Sequence, residues 1–302
     1  RQIYKPSLYQ NYYVSLSGGT SRTRYMASLG YTDDNGVAIG TGYSRFAGRI
    51  NLQSDITDKL KFRANVDYSD TNNDYMPNQM NQISRGLSQA PTMRLYFDDG
   101  TPAYGYNATS QSPLYYEWHT QRTIRYKRLS LVGGLSYQIF KDLKADLQMS
   151  LYNQDRRWGA FQKANYFSGS RPASENYSET TNKKIEFYLD YSKTIKDHTI
   201  AAMAGYSYYH VNQNGFGAAA EGASSDKIPT LTASPVKTDA TSSLSEEVLI
   251  GYFARINYDY KKKYLLTATF RADGSSKFAP GHQWGYFPGV SVGWIMSEEN
   301  FM

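Results

Sequence analysis

The chain has 302 residues and no cysteine, and its 33 lysine and arginine residues against 27 aspartate and glutamate residues give a formal net charge of +6. The basic residues are dispersed, and no block is longer than Lys261–Lys263, so the sequence excludes the basic tract typical of nucleic-acid binding. The absence of cysteine suits an oxidising compartment. No apolar run reaches the about 18 residues that a transmembrane helix needs.

Tyrosine is the unusual component of the chain, with 29 residues. Tyrosine favours strands, and its amphipathic ring also suits the membrane–water interface. The mean hydropathy is −0.63. Such a value is compatible with a membrane barrel, because only every second residue of a barrel strand meets lipid.

In chain order, about eleven segments alternate apolar and polar residues with the period of two that predicts a strand. From Leu60 to Asp70, for example, Leu, Phe, Ala, Val and Tyr alternate with Lys, Arg, Asn, Asp and Ser. Most segments exceed the 5–6 residues usual in soluble proteins and match the about 9–11 residues of a tilted membrane strand. The predicted strands are 11–18, 23–31, 43–54, 60–70, 126–139, 143–153, 182–195, 199–210, 246–260, 264–272 and 284–295.

The connections between these segments alternate in length. The short ones are Gly19–Arg22, Asp55–Lys59, Phe140–Asp142, Lys196–His198 and Lys261–Lys263. The long ones are Thr32–Gly42, Thr71–Arg125, Gln154–Thr181, Val211–Ser245 and Asp273–Gln283. Outer-membrane barrels have short periplasmic turns and long external loops. The sequence therefore predicts an all-β fold, the wall of an antiparallel up-and-down transmembrane β-barrel.

An odd number of strands is unusual, because single-chain bacterial barrels use even numbers. Residues 1–4 also lack the charged and apolar regions of a secretion signal. We therefore expect residues 1–302 to be a partial barrel domain of a longer polypeptide, without a plug domain and without the remaining strands.

Several segments resemble one known family. They are Tyr12–Gly19, Tyr25–Tyr31, Asp34–Gly36, Arg49–Leu52, Leu60–Phe62, Phe270–Phe278, Trp284–Pro288, Ser291–Trp294 and Ser297–Glu299. Together they are similar to the barrel of SusC/RagA-type TonB-dependent transporters, and the similarity is weakest in the long loops.

The resemblance implies an outer-membrane location, a barrel of 22 strands filled by an N-terminal plug, and a segment that contacts the TonB complex. It also implies a SusD-like surface lipoprotein that covers the barrel. Members of the family import oligosaccharides or peptides in Bacteroidetes. The expected partners are thus the lipoprotein, TonB, outer-membrane lipid and one of these substrates, with no nucleic acid.

Aromatic residues in the predicted loops Thr71–Arg125 and Gln154–Thr181 are the candidate substrate contacts, because aromatic faces give contact area at little entropy cost. They are Tyr104, Tyr106, Tyr115, Tyr116, Trp118, Trp158 and Phe161. The alternative role for each is packing, either within its own loop or against the lipoprotein. A second group of aromatic residues near strand ends is explained by an interfacial girdle. It comprises Tyr25, Tyr31, Tyr68, Tyr137, Tyr206, Tyr208, Tyr258, Tyr260, Tyr264 and Trp294.

No motif predicts an enzyme. The four histidines, His119, His198, His210 and His282, lack the spacing of metal ligands. The segment Asp273–Ser276, an aspartate beside a glycine and two serines, could suggest cation ligands, but a turn at a strand end explains it. We expect no catalytic residue, no metal and no cofactor.

Two alternative functions are open. One is a passive porin or adhesion barrel without energy coupling. The other is a soluble carbohydrate-binding β-protein, which the apolar strand faces disfavour because a second sheet would have to cover Phe62, Val66 and Leu147.

Overall fold

The structure, a computed structural model, describes residues 3–74, 79–88, 90, 92–106 and 111–299. Eleven strands form one sheet, in which each strand pairs antiparallel with its neighbours in sequence. The strands are β1 (Tyr9–Gly19), β2 (Thr23–Asp34), β3 (Gly42–Asp55), β4 (Leu60–Asp74), β5 (Thr120–Phe140), β6 (Leu143–Gln162), β7 (Ala173–Ile195), β8 (His198–Glu221), β9 (Val236–Tyr260), β10 (Tyr264–Ser275) and β11 (Trp284–Trp294). The predicted fold class and the eleven strands are confirmed.

Two of the predicted long loops are wrong. Most of Gln154–Thr181 and Val211–Ser245 is strand, since β6 and β7 pair as far as Phe161 and Ala173, and β8 and β9 pair as far as Glu221. Beyond a membrane both faces of a strand meet water, so the side chains need not alternate although the backbone ladder continues. Alternation therefore finds only the lipid-facing part of each strand.

The predicted loop Thr71–Arg125 is a folded connection, as its composition indicates. It contains two helices, α1 (Gln79–Ser88) and α2 (Pro113–His119), between the ends of β4 and β5. Pro113 stands at the start of α2, where its fixed φ suits a helix and its missing N–H costs no hydrogen bond. Short 3-10 turns lie at Leu231–Ala233 and Met296–Glu298.

The register separates the strands into an apolar face and a polar face. On the apolar face, Phe62, Leu135, Leu147 and Phe187 are paired across four consecutive strands. No second layer covers this face in the described part of the chain, and Val292 is 81% exposed. Apolar surface of this extent, uncovered on one side of a sheet, is what a lipid-facing barrel wall requires.

The polar face is concave and carries charges. Arg63 donates a hydrogen bond to Gln148 across β5, at 2.7 Å between Nη2 and Oε1. Lys144 bridges Asp146 at 2.8 Å and Asp190 at 3.9 Å. Two concavities of the sheet lie mainly on this face. Charged groups on the concave side are typical of a hydrated barrel interior.

The band of apolar side chains runs at a slant across the sheet. Near the first strand its outer aromatic residues, Tyr12 and Tyr31, stand in register with Asp70. At the last strand, the outermost aromatic residue of the band is Trp284. Followed from partner to partner across the sheet, Trp284 is in register with Ala64 of β4, which is six residues nearer the short turns than Asp70. Such a drift is the stagger that tilted strands need in order to close a barrel.

The ten strand-end aromatic residues assigned to a girdle all lie on the apolar face, by the same register.

Within the part of the chain that the structure describes, none of the helices has the length and apolar character needed to span a membrane.

Candidate functional site

The strands β5 to β9 extend well past the apolar band at the end with the long connections, and this part is called the outer extension. It comprises residues 120–128, 152–162, 173–184, 209–221 and 236–247. In the outer extension the sheet is continuous, and its polar, concave face continues from the barrel interior toward the long connections.

A groove of about 350 Å³ lies on the concave face of the outer extension. Its floor is built by two adjacent rows of register partners, one from each of β6 to β9. The rows are Trp158, Asn176, Gly217 and Thr241, and Arg156, Ser178, Gly215 and Ser243.

Two glycines of β8 create the depth of the groove. A Cβ on Gly217 would collide with the amide oxygen of Asn176 and would stand 3.1 Å from the Thr241 hydroxyl. A Cβ on Gly215 would stand 3.2 Å from the Ser243 hydroxyl. The glycines therefore leave a flat, hydroxyl-lined floor beside the indole of Trp158, and this floor can accept a polar ligand with a flat face.

Two arginines lie near one aromatic ring beside the groove, and of the two Arg156 lines the groove itself. The guanidinium carbons of Arg128 and Arg156 lie 5.6 Å and 5.7 Å from the ring centroid of Tyr126. Arg128 also donates from Nε to Oε1 of Gln154 at 2.7 Å, and Tyr152 donates to the same oxygen at 3.0 Å. The amide of Gln154 thus holds Arg128 in place.

The predicted loop aromatics divide into buried and exposed residues. Tyr104 stacks on Tyr166 with ring centroids 4.2 Å apart, and it meets Tyr115 edge-on at 5.3 Å. Tyr115 is 3% exposed, and its hydroxyl accepts a hydrogen bond from the Tyr166 N–H at 2.7 Å. Burial raises the pKa of Tyr115. These contacts join α2 to the β6–β7 connection.

The other five predicted residues lie apart from this cluster. Phe161 is 3% exposed and packs with Ala173 and Ala223 in a small core. Tyr106 and Trp118 are 64% and 51% exposed. Tyr116 accepts a hydrogen bond from Arg122 at 3.2 Å.

Trp158 is the one member of the seven that lines the groove described above. The sequence prediction missed its neighbours on β7, β8 and β9, because they lie in segments assigned to loops. The signal that could have found them is Gly215-x-Gly217, since paired glycines inside a strand mark a place where something approaches the backbone closely.

A carboxylate ties the two connections above the groove together. Asp226, in the β8–β9 connection, accepts from the Ala164 N–H at 2.9 Å and from Nε of Arg171 at 2.6 Å. Burial alone would raise the pKa of Asp226, but these two donors hold it below its ordinary value. Arg171 also donates to the Ala223 carbonyl at 3.1 Å, so the β6–β7 and β8–β9 connections form one unit.

A second contact joins α2 to the β2–β3 connection. The carboxylate of Glu117 occupies the space that a Cβ on Gly40 would fill, and Gly40 has φ +67°, a conformation that favours glycine. Burial raises the pKa of Glu117, and the charge of Arg122 offsets part of this effect. The connections near β2 and β5 are therefore packed on each other as well.

No group of side chains suited to a metal ion was found in the described part of the chain.

Comparison with known proteins gives one consistent result. No family model matches the sequence. The chain is 28% identical over 317 residues to TonB-dependent receptor P3 of Formosa agariphila, covering 100% of this chain and 32% of the receptor. It is 26% identical over 336 residues to TonB-dependent receptor SusC of Bacteroides thetaiotaomicron, again covering 100% of this chain and 32% of the receptor. The chain thus spans about a third of the length of the curated relatives it matches.

Solved structures show the same fold. The RagAB peptide importer in its closed-closed state superposes with a TM-score of 0.82 at 23% identity, covering 96% of this chain and 34% of that chain. The ferric citrate transporter FecA superposes with a TM-score of 0.56 at 11% identity, covering 95% of this chain and 38% of that chain. By sequence along its whole length and by fold, the chain is similar to SusC/RagA-type TonB-dependent receptors of the outer membrane, and its eleven strands match part of such a barrel.

Proposed function

We propose that the chain forms part of the wall of an active outer-membrane importer that takes up glycans or peptides. The observation that carries this proposal is the pairing of two surfaces on one sheet. A slanted apolar band faces outward and is uncovered in the described part of the chain, and a charged concave face continues into a groove beyond it. A wall that separates lipid from a hydrated path needs both surfaces.

The groove beside Trp158 is the proposed point of first contact with substrate. It lies on the concave face, so a molecule held there already stands on the path into the barrel. The exposed rings of Tyr106 and Trp118 are proposed as further contacts. Tyr115 and Phe161 are buried, and their contribution would be to hold the loops in shape.

The partners of the complete receptor are also proposals. The curated relatives carry the name TonB-dependent receptor, and one solved relative is called a peptide importer. On this basis we propose energy coupling through TonB, a plug in the barrel, a SusD-like lipoprotein above the packed connections, and further strands of the same polypeptide that complete the barrel around residues 1–302.

The test is growth of a deletion strain that expresses the complete receptor, with a panel of oligosaccharides and peptides as sole carbon sources. We expect uptake that stops when TonB is deleted, and that falls when Trp158→Ala is introduced. Gly159→Ala is the matched control, because it is the next residue on the same strand, points to the opposite face, and has 3.8 Å of space before the nearest atom. Uptake that continues without TonB would identify a passive pore instead.

A further inference from the structure

We propose that the groove takes a glycan bearing carboxylate or sulfate groups, and that Arg128 and Arg156 are the residues that bind those groups. The inference rests on the proposed import function, and it names the substrate class for the same groove. It starts from the two guanidinium groups, whose central carbons lie 5.6 Å and 5.7 Å from the centroid of the same Tyr126 ring.

The two arginines lack a counter-ion. Within the residues that the structure describes, neither Arg128 nor Arg156 forms an ion pair with a carboxylate. Two cations held near one ring repel each other, so an anion that enters between them gains from both charges. Guanidinium groups present paired donors that match the oxygens of a carboxylate or a sulfate.

Two arginines of the concave face are neutralised within the protein, whereas Arg24, Arg63 and Arg255 on the same face have no ion pair in the described part of the chain. Arg49 pairs with Asp67, and Arg271 pairs with Asp273 at 2.7 Å. Arg45 is different. It stands in the same row of register partners as Tyr126, across β4, and it too has no ion pair in the described part of the chain. Arg45, Arg128 and Arg156 thus place three positive charges, without a carboxylate partner among the described residues, where the barrel interior opens into the groove, and these charges favour an anion there.

The groove above the arginines suits a sugar better than a peptide. Its floor offers hydroxyl and amide groups from Asn176, Ser178, Thr241 and Ser243, which match sugar hydroxyls, and the Trp158 indole offers a flat face for a ring. The backbone of these strands is fully used in the sheet ladder, so a peptide cannot add as another strand. The lining residues also include no carboxylate to hold a peptide amino group.

The experiment measures binding by calorimetry to the complete receptor, purified in detergent. The probes are a galacturonate tetramer, a sulfated carrageenan oligosaccharide, maltotetraose as the neutral sugar, and tetraglutamate as an acidic peptide. We expect at least one of the two acidic sugars to bind more tightly than both maltotetraose and tetraglutamate, with an affinity that falls as salt is raised. Arg128→Ala and Arg156→Ala should each weaken that binding by about ten-fold or more, as expected for a lost charged hydrogen bond.

Arg157→Ala is the matched control, because Arg157 is the next residue of β6 and its side chain leaves the opposite face of the sheet. It should leave the affinity unchanged. Equal binding of the neutral and acidic sugars, equal effects of Arg156→Ala and Arg157→Ala, or equal binding of tetraglutamate would each overturn the inference.

These failures are distinct from a failure of the import proposal. TonB-dependent uptake with no preference for acidic sugars would reject the substrate class and leave import standing. TonB-independent uptake would reject active import whatever the charge preference.

Discussion

At the scale of single residues, the groove depends on glycines of β8 that have no side chain. Gly217 lies within β8, and its φ is not positive. Alanine can therefore adopt the same backbone conformation. The added methyl group would nevertheless displace the Asn176 amide. We expect Gly217→Ala to change the free energy of unfolding by less than about 1 kcal/mol and to weaken substrate uptake, while Gly159→Ala leaves uptake intact. A competition assay with the transported substrate measures both, and unchanged uptake by Gly217→Ala would remove the groove from the path.

The second prediction at this scale concerns pH. The pKa of Asp226 is lowered in the folded protein, so its contacts stabilise the connections at a pH above the ordinary aspartate value of about 3.9. That stabilisation is lost as the pH falls through the lower folded value. Protection of the Ala164 amide from hydrogen exchange, measured against its intrinsic rate at each pH, should be lost in strong acid, and Asp226→Ala should lack this protection already at pH 7. An exchange rate at Ala164 that is the same in Asp226→Ala and in the unaltered protein would contradict the contact.

Side-chain roles were only partly accessible to sequence reasoning. Aromatic composition singled out Trp158, which lines the groove, but it equally singled out Tyr115 and Phe161, which are buried. Burial in a loop depends on which connections pack together, and no local pattern encodes this. The arginine pair was not found, because Arg128 and Arg156 come together only through the register of β5 with β6.

At the scale of elements, alternation of apolar and polar residues predicts strands where one face meets lipid. It does not predict the parts of the same strands that extend beyond the apolar band. Leu60–Asp70 and Leu143–Asn153 were predicted because one face must be apolar, and both are strands in the structure. The outer extension of β8 and β9 was assigned to a loop because its side chains need not alternate in water. Register and backbone hydrogen bonding, which sequence patterns do not report, determine the ends of these strands.

The two faces of a strand should respond differently to charge. Val66 lies on the apolar face and Asn65 on the polar face of β4. We expect Val66→Arg to lower the free energy of unfolding by about 2–4 kcal/mol, the cost of an arginine near the bilayer centre, whereas Asn65→Arg should have little effect. Urea titration of the complete receptor in lipid vesicles gives both values. Equal costs would contradict the separation into a lipid-facing and an interior face, and a larger cost for Asn65→Arg would reverse the assignment.

At the scale of the whole molecule, the connections define which end is external. Residues 1–302 contain no cysteine, so a cysteine introduced here is the only thiol in this part of the receptor. Gly169→Cys, in the β6–β7 connection, should react with a membrane-impermeant maleimide on intact cells. Lys59→Cys and Lys262→Cys, at short turns, should react only after the outer membrane is opened. The reverse pattern would invert the orientation.

The last prediction concerns closure of the barrel. In the described sheet β1 and β11 each have one neighbour, so each has an edge of unpaired N–H and C=O groups next to the apolar band. In hydrocarbon every such group costs several kcal/mol, and an open edge is therefore not stable there.

Residues 1–302 expressed alone should for this reason aggregate, or remain in detergent without the heat-modifiable gel migration of a closed barrel. The complete receptor should show that migration. A closed barrel formed by two copies of the chain would contradict our proposal that further strands of the same polypeptide complete the wall. A monodisperse monomer that is stable without detergent and unfolds cooperatively would contradict the lipid-facing assignment of the apolar band itself, because nothing in the described sheet covers Val292 and its neighbours on that face.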